Sequence, residues 1–168
     1  MSGWVALLRA VNVGGNKVLM EDLRALAERE GFAGARTYIA SGNLVFESAL
    51  EETEIRQRLE AALEKQYGKP IGVIVRAAEA MAKAVADNPF ARQPGNKVAV
   101  LFTDEPVSVE GVRRADLGEE LVVGERVIYI HYASGMGQSK LVIPAAKAGT
   151  MRNMNTVAKL SAMAEAKG

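Results

Sequence analysis

The stretch that decides the fold is WVALLRAVNVGGNKVLMEDLRALAEREG, residues 4–31. It opens with an apolar, β-compatible run at 4–8, which predicts a strand. A loop rich in Gly and Asn follows. Leu23, Leu26, Ala27 and Glu30 then recur at helical spacing, and Gly31 supplies the stop. Outward from this strand–loop–helix unit, residues 36–40 and 44–47 read as two strands joined by a tight turn at Ser41-Gly42-Asn43. Residues 51–67 carry Ile55, Leu59, Ala62 and Leu63 on one stripe, which predicts a second helix ended by Gly68, and 71–75 predicts a fourth strand. The order β-α-β-β-α-β is that of the split βαβ, ferredoxin-like motif.

The pattern then begins again. A helix at 77–86 is broken by Asn88-Pro89. Strands are expected at 97–103, 121–123 and 127–132, the last two as a hairpin around Gly124-Glu125-Arg126. Weak helices are expected at 107–115 and 139–146, the latter opposed by Pro144; a short strand is expected at 149–151 and a final helix at 155–167. The expected fold is α+β, with two ferredoxin-like (α/β plait) units in tandem, the second irregular and carrying an extra C-terminal helix. The boundaries are 1–76 for the first unit, 77–95 for a linking helix and loop, and 96–168 for the second.

Composition bounds the function. The 168 residues are 49% hydrophobic and 24% charged with a net charge of +1, so no overall charge draws the chain to nucleic acid or membrane. Cysteine is absent, which removes disulfides, thiol catalysis and thiolate metal sites, and fits a reducing cytoplasm. His131 is the only histidine, so a multi-histidine metal centre is excluded. The N-terminal region has no basic segment before a long apolar run, so neither a signal peptide nor a membrane span is expected. Charge is nonetheless segregated. Residues 104–125 hold Asp104, Glu105, Glu110, Asp116, Glu119, Glu120 and Glu125 against Arg113 and Arg114, whereas 126–168 hold six basic residues against Glu165.

Three polar stretches are candidate sites. In RAVNVGGNK, glycines let backbone N–H groups turn toward one point ahead of a helix; Arg9, Asn12, Gly14, Gly15 and Lys17 are its candidate ligand contacts. The loop is neither a Walker A sequence nor G-x-G-x-x-G, and a ligand-free β-α connection explains it as well. In HYASGMGQSKL, Ser139 and Lys140 follow Gly135 and Gly137. A Ser-Lys pair acts as nucleophile and base only if burial neutralises the lysine. In GTMRNMNTVAKL, Arg152 offers a planar fork for carboxylate or phosphate, and Asn153 and Asn155 offer paired donors and acceptors. Thr156 or Asn155 is the expected N-cap of the last helix, and bracing of that helix is the competing explanation for the asparagines.

ALLRAVNVGGNKVLMEDLRAL, TYIASGNLVFES, ADNPF, HYASGMGQSKL and GTMRNMNTVAKL, in this order, resemble the bacterial "domain of unknown function 1697" family over residues 4–163. The resemblance implies a pair of ferredoxin-like units and no particular reaction. Two positions depart from the family pattern. Ala10 stands where L-R-G-I-N-V-G-G has glycine, and Met154 stands where R-N-W-N-T has tryptophan. Methionine keeps apolar contact but loses the flat surface on which a base would stack, which favours packing or a ligand held by Arg152 and the asparagines.

The expectation is a cytoplasmic module that binds a small anionic ligand, phosphorylated or a nucleotide, at its glycine loops. It needs no cofactor and no metal, and assigns no catalytic residue. The alternatives are a protein–protein interaction module, including a homo-oligomer, and RNA binding through the basic C-terminal quarter, which the near-neutral total charge disfavours.

Overall fold

A computed structural model describes residues 1–11 and 17–167. The fold is α+β, with two four-stranded antiparallel sheets and four helices among the described residues. The chain divides into two compact units: Met1–Ala82 together with the C-terminal segment from Leu160, and Lys83–Lys159.

The first unit runs β1 (Ser2–Leu8), α1 (Met20–Arg29), β2 (Ala33–Thr37), β3 (Asn43–Ser48), α2 (Glu52–Tyr67) and β4 (Val73–Ala77), with the sheet ordered β2-β3-β1-β4. β1 is antiparallel to both β3 and β4, with Trp4 opposite Phe46 and Ala77. Trp4, Ala6, Leu8, Leu44, Phe46, Val73 and Val75 point into a core completed by Leu23, Leu26 and Ala27 of α1 and Ile55, Leu59 and Leu63 of α2. The Phe32 and Phe46 rings tilt against each other at 4.7 Å. Val5, Leu7, Val45 and Ile74, on the opposite face, are buried as well. α2 ends at Gly68, whose left-handed conformation lets its N–H donate to the Glu64 carbonyl at 2.8 Å. β2 lies earlier than its sequence expectation. Gly34 takes a φ of 60° and the pairing with β3 shifts between Ala33 and Arg36, so a bulge absorbs a glycine that reads as a loop residue.

α3 (Ala78–Ala86) runs from the first unit into the second, which continues with β5 (Val98–Phe102), β6 (Glu120–Gly124), β7 (Val127–His131), β8 (Thr150–Asn153) and the start of α4 (Met154–Glu165). Its sheet is ordered β6-β7-β5-β8. The helix expected at 107–115 is absent. Val107, Val109 and Val112 resist helical packing, Gly111 and Gly118 hold φ of 76° and 78°, and Arg114 holds 65°. The helix expected at 139–146 is replaced by 3-10 turns at Met136–Gln138 and Pro144–Ala148, the second started by its proline. These irregular segments still cover the sheet: Val107, Val112, Met136, Leu141 and Ile143 pack on Leu101, Ile128 and Ile130.

Gly42 tests the packing at the end of the first sheet. Its φ is 89°, and a Cβ there would lie 2.6 Å from Val11 Cγ2 and 3.0 Å from Leu8 Cβ. Gly42→Ala is expected to cost about 1–3 kcal/mol in urea unfolding, whereas Gly137→Ala, with nothing within 4 Å of its new methyl group, leaves the midpoint unchanged.

Candidate functional site

Three connections of the first unit meet where β1 ends. The Leu8 N–H donates to the Gly42 carbonyl at 2.9 Å, and the Arg9 N–H donates to the Gly72 carbonyl at 2.9 Å. These bonds bring the start of the glycine loop beside the β2–β3 turn and the entry to β4. Asn43 opens β3 fully buried, its Nδ2 donating to the Tyr38 carbonyl at 2.8 Å and to Ser41 Oγ at 2.9 Å. It braces the turn from inside. Two L-residues in these connections hold left-handed backbone, Ala10 at φ 52° and the half-exposed Ile39 at φ 52°. For a β-branched residue such as Ile39 this is a genuine outlier. Lys17 is exposed, and Asn12, Gly14 and Gly15 lie outside the described residues.

Arg9 lies close over Gly72 and lines a cleft of about 540 Å³ with Gln57, Glu60, Glu64 and Pro70. Glu60 Oε2 accepts the Val73 N–H at 3.0 Å. Two of the side chains that line the cleft with Arg9 are thus carboxylates, which lowers the pull of the cleft as a whole on an anion. The first turn of α1 carries Glu21 and Asp22, which offset the positive end of that helix.

In the second unit, the remaining candidates have protein partners or exposed positions. Arg152 is buried in β8, with Nη1 donating to Thr150 Oγ1 at 2.6 Å and to the Met151 carbonyl at 3.0 Å. Burial pushes its pKa down to about 10, so it stays charged at neutral pH. Asn153 Oδ1 accepts the Thr156 N–H at 2.9 Å and so caps α4. The cap expected at Thr156 or Asn155 falls on Asn153 because the helix starts one residue earlier, at Met154. Asn155 is exposed, with its Oδ1 pressed against Gly95 so closely that a Cβ there would collide. Met154 is buried, as packing requires.

Ser139 Oγ donates to Glu119 Oε2 at 2.5 Å and accepts the Leu141 N–H at 3.1 Å, while Lys140 is exposed. A Ser-Lys nucleophile and base would need a buried, neutral lysine, so this geometry gives Ser139 a structural role instead. Glu119 is itself buried, and its Oε1 accepts the Leu117 N–H at 2.8 Å. The Ser139 hydroxyl is the main reason its carboxyl titrates below the usual range. No spacing in the sequence singles out Glu119; only its place in an acidic run hints at it. His131 closes β7, buried and stacked on Phe90 at 5.4 Å, with Nδ1 at 3.6 Å from Glu120 Oε1. No group of three or more His, Asp or Glu suited to a metal occurs among the described residues. Among the same residues, no helix is long and apolar enough to cross a membrane.

A family model described as protein of unknown function (DUF1697) matches residues 1–129. The chain belongs to the DUF1697 family. It is also similar to the solved structure of a conserved bacterial protein from Streptococcus pneumoniae, with a TM-score of 0.80 and 25% identity over 96% of this chain and 98% of that one. No curated protein matches it. The match to DUF1697 takes in the whole β1-end cluster and stops before Ser139, Arg152 and Asn153. The left-handed Ala10 also gives a physical reason for the glycine that the DUF1697 pattern carries at this position.

Two outcomes follow from this geometry. Ala10→Gly relieves the left-handed strain and is expected to stabilise the protein by about 1 kcal/mol, read as a higher thermal midpoint. Ser139→Ala acts through Glu119. A carboxyl held low in the folded state stabilises it above the unfolded-state pKa, and that stability fades as pH falls through the folded-state value. Wild type should therefore exceed Ser139→Ala in unfolding free energy at neutral pH, and the gap should narrow on acidification through the carboxylate range.

Proposed function

We propose that this DUF1697 protein binds a small anionic ligand, a phosphorylated compound or nucleotide, at the end of the first sheet where β1 passes into the glycine loop. The reading rests on the paired left-handed residues Ala10 and Ile39, held beside that loop by the Leu8–Gly42 hydrogen bond. Non-glycine residues in this region cost about 1–3 kcal/mol each and concentrate at ligand clamps and switch segments. Lys17 supplies the charge, and the loop amides, with Asn12, Gly14 and Gly15, supply the donors. Glu21 and Asp22 make the α1 terminus a weak contributor. Arg152, Asn153 and Ser139 serve as braces of the second unit, where Lys140 and Asn155 are exposed. Both units are variants of the ferredoxin-like plan in this reading, the second with irregular segments in place of its two helices.

RNA binding through the basic C-terminal quarter is the weaker alternative, and no open sheet face supports it among the described residues. RNA-binding sheets stack bases on exposed strand aromatics, whereas β5 and β7 are buried along their whole lengths and β1 is buried from Gly3 onward.

The test is a thermal-shift series with inorganic pyrophosphate, nucleoside mono- and triphosphates and sugar phosphates on wild type, Lys17→Ala and Arg152→Ala. Binding to the folded state raises the midpoint by mass action. A shift is expected in wild type, lost in Lys17→Ala and kept in Arg152→Ala, whose ligand-free midpoint drops. A panel without any shift, or a shift that Lys17→Ala retains, overturns the reading.

A further inference from the structure

The edge strand β6 carries an inference independent of the anion site. Its only strand partner among the described residues is β7, so one of its sides is a sheet edge. The hydrogen-bond phase fixes which residues face outward. The Thr103 N–H donates to the Arg126 carbonyl and the Tyr132 N–H to the Lys97 carbonyl, bonds that flank the Val127–Phe102 and His131–Val98 pairs. Val127, Tyr129 and His131 therefore turn their own backbone groups toward β6, where they meet Gly124, Val122 and Glu120. The N–H and C=O of Leu121 and Val123 point away from β7.

The side chains on this edge are unusual for one left open. Edges are commonly protected by lysine, proline or a bulge. β6 has none of these, pairs with β7 in unbroken register, and exposes Val122 and Val123 at 41% and 43%. Leu121 and Val123 continue the apolar face formed by Ile128 and Ile130. Glu120 lies on the other face, exposed, and Glu125 stands exposed at the hairpin tip.

We infer that β6 accepts an extended segment of another protein by strand addition, and that this segment alternates β-branched apolar residues with lysine or arginine. The apolar set extends the Leu121–Val123 face, the basic set lies on the Glu120 face with the Glu125 carboxylate at the hairpin tip adding negative charge at its end, and main-chain bonds to Leu121 and Val123 supply the pairing. Charge argues against a second copy of the chain. Antiparallel self-pairing centred on Val122, which sets the outward backbone groups of Leu121 against those of Val123, brings Glu119 opposite Glu125, so like charges meet at both ends of the strand in that register.

The probe is a fluorescein-labelled ten-residue peptide alternating Val and Lys, titrated by anisotropy against the full chain. Saturable binding is expected, about tenfold or more tighter than that of the matching Val/Glu peptide. Methylating alternate backbone nitrogens of the peptide should abolish binding, and this requires no change to the protein. Val123→Pro removes an outward donor and should weaken binding about tenfold; if circular dichroism shows that it fails to fold, the methylated peptide carries the same test. Glu120→Lys with Glu125→Lys should reverse the charge preference. Absence of saturable binding, equal binding of the two peptides, or indifference to backbone methylation overturns the proposal. So does concentration-dependent dimerisation in sedimentation that Val123→Pro abolishes, since the edge would then belong to a second copy.

Discussion

The first unit depends on β1 being buried on both faces. From Gly3 to Leu8 the strand has no solvent side: Trp4, Ala6 and Leu8 enter the helix-covered core, while Val5 and Leu7 are buried opposite. A half-exposed antiparallel strand would alternate apolar and polar, but here the apolar run is continuous. Each fully buried large side chain contributes about 1.5–3 kcal/mol, so polar variation inside β1 is costly. Close approach matters as much. A Cβ at Gly3 would run into the Ala164 carbonyl, so α4 reaches its place in this unit only over a glycine. Polar and conformationally unusual residues are thus pushed to the strand ends, and Arg9, Ala10 and the turn before Asn43 collect there.

The second unit keeps the strand arrangement with fewer helices. Its sheet order, β6-β7-β5-β8, repeats the pattern of the first, in which the third strand lies between the second and the first. Where the first unit lays α1 and α2 on its core, the second uses 3-10 turns and extended chain carrying Val107, Val112, Leu141 and Ile143. Such segments cannot satisfy their backbone groups internally as a helix does, so side chains take over that task. The Thr103 hydroxyl donates to the Glu105 carbonyl at 2.7 Å, Glu119 accepts from Leu117, and Ser139 accepts from Leu141. Much of the polar inventory that looks like chemistry in the sequence is spent on holding irregular chain in place.

This division explains what the sequence could convey. The family resemblance and the helices of the first unit were legible because Leu23, Leu26 and Ala27, and Ile55, Leu59 and Leu63, recur at a period that only an amphipathic helix satisfies. β2 was displaced by the apolar pair Tyr38 and Ile39, which belong to a turn, and by Gly34, which belongs to a bulge. The helix start at Met154 was read a residue late because Asn153, Asn155 and Thr156 are all competent caps, and only the bond to the Thr156 N–H separates them. The Glu119–Ser139 pair was out of reach. It joins residues twenty positions apart, and neither belongs to a pattern that points to the other. Arg152 shows how context redirects a side chain: a guanidinium beside two asparagines reads as a binding fork, and in the buried strand its Nη1 donates to Thr150 Oγ1 and the Met151 carbonyl.

Charge segregation acquires a physical role once the second sheet is drawn. The acidic run of residues 104–125 ends on β6, the strand with an open edge, rather than being spread over the unit. An apolar edge is a hazard because any extended chain can pair with it, including a copy of its own. Lysine on the edge would repel basic partners, and proline would remove a donor that any partner needs. Carboxylates at the two ends of β6 act more selectively. They bring like charges together where Leu121 of one β6 meets Val123 of another, which sets Glu119 opposite Glu125, while the Leu121 and Val123 backbone groups face the side on which we propose that a basic strand pairs. The same charges weaken in salt, because exposed groups are screened over about 8 Å at physiological ionic strength. Protection from self-association and choice of partner would then weaken together as salt rises, whereas proline in the strand would block every partner at any ionic strength.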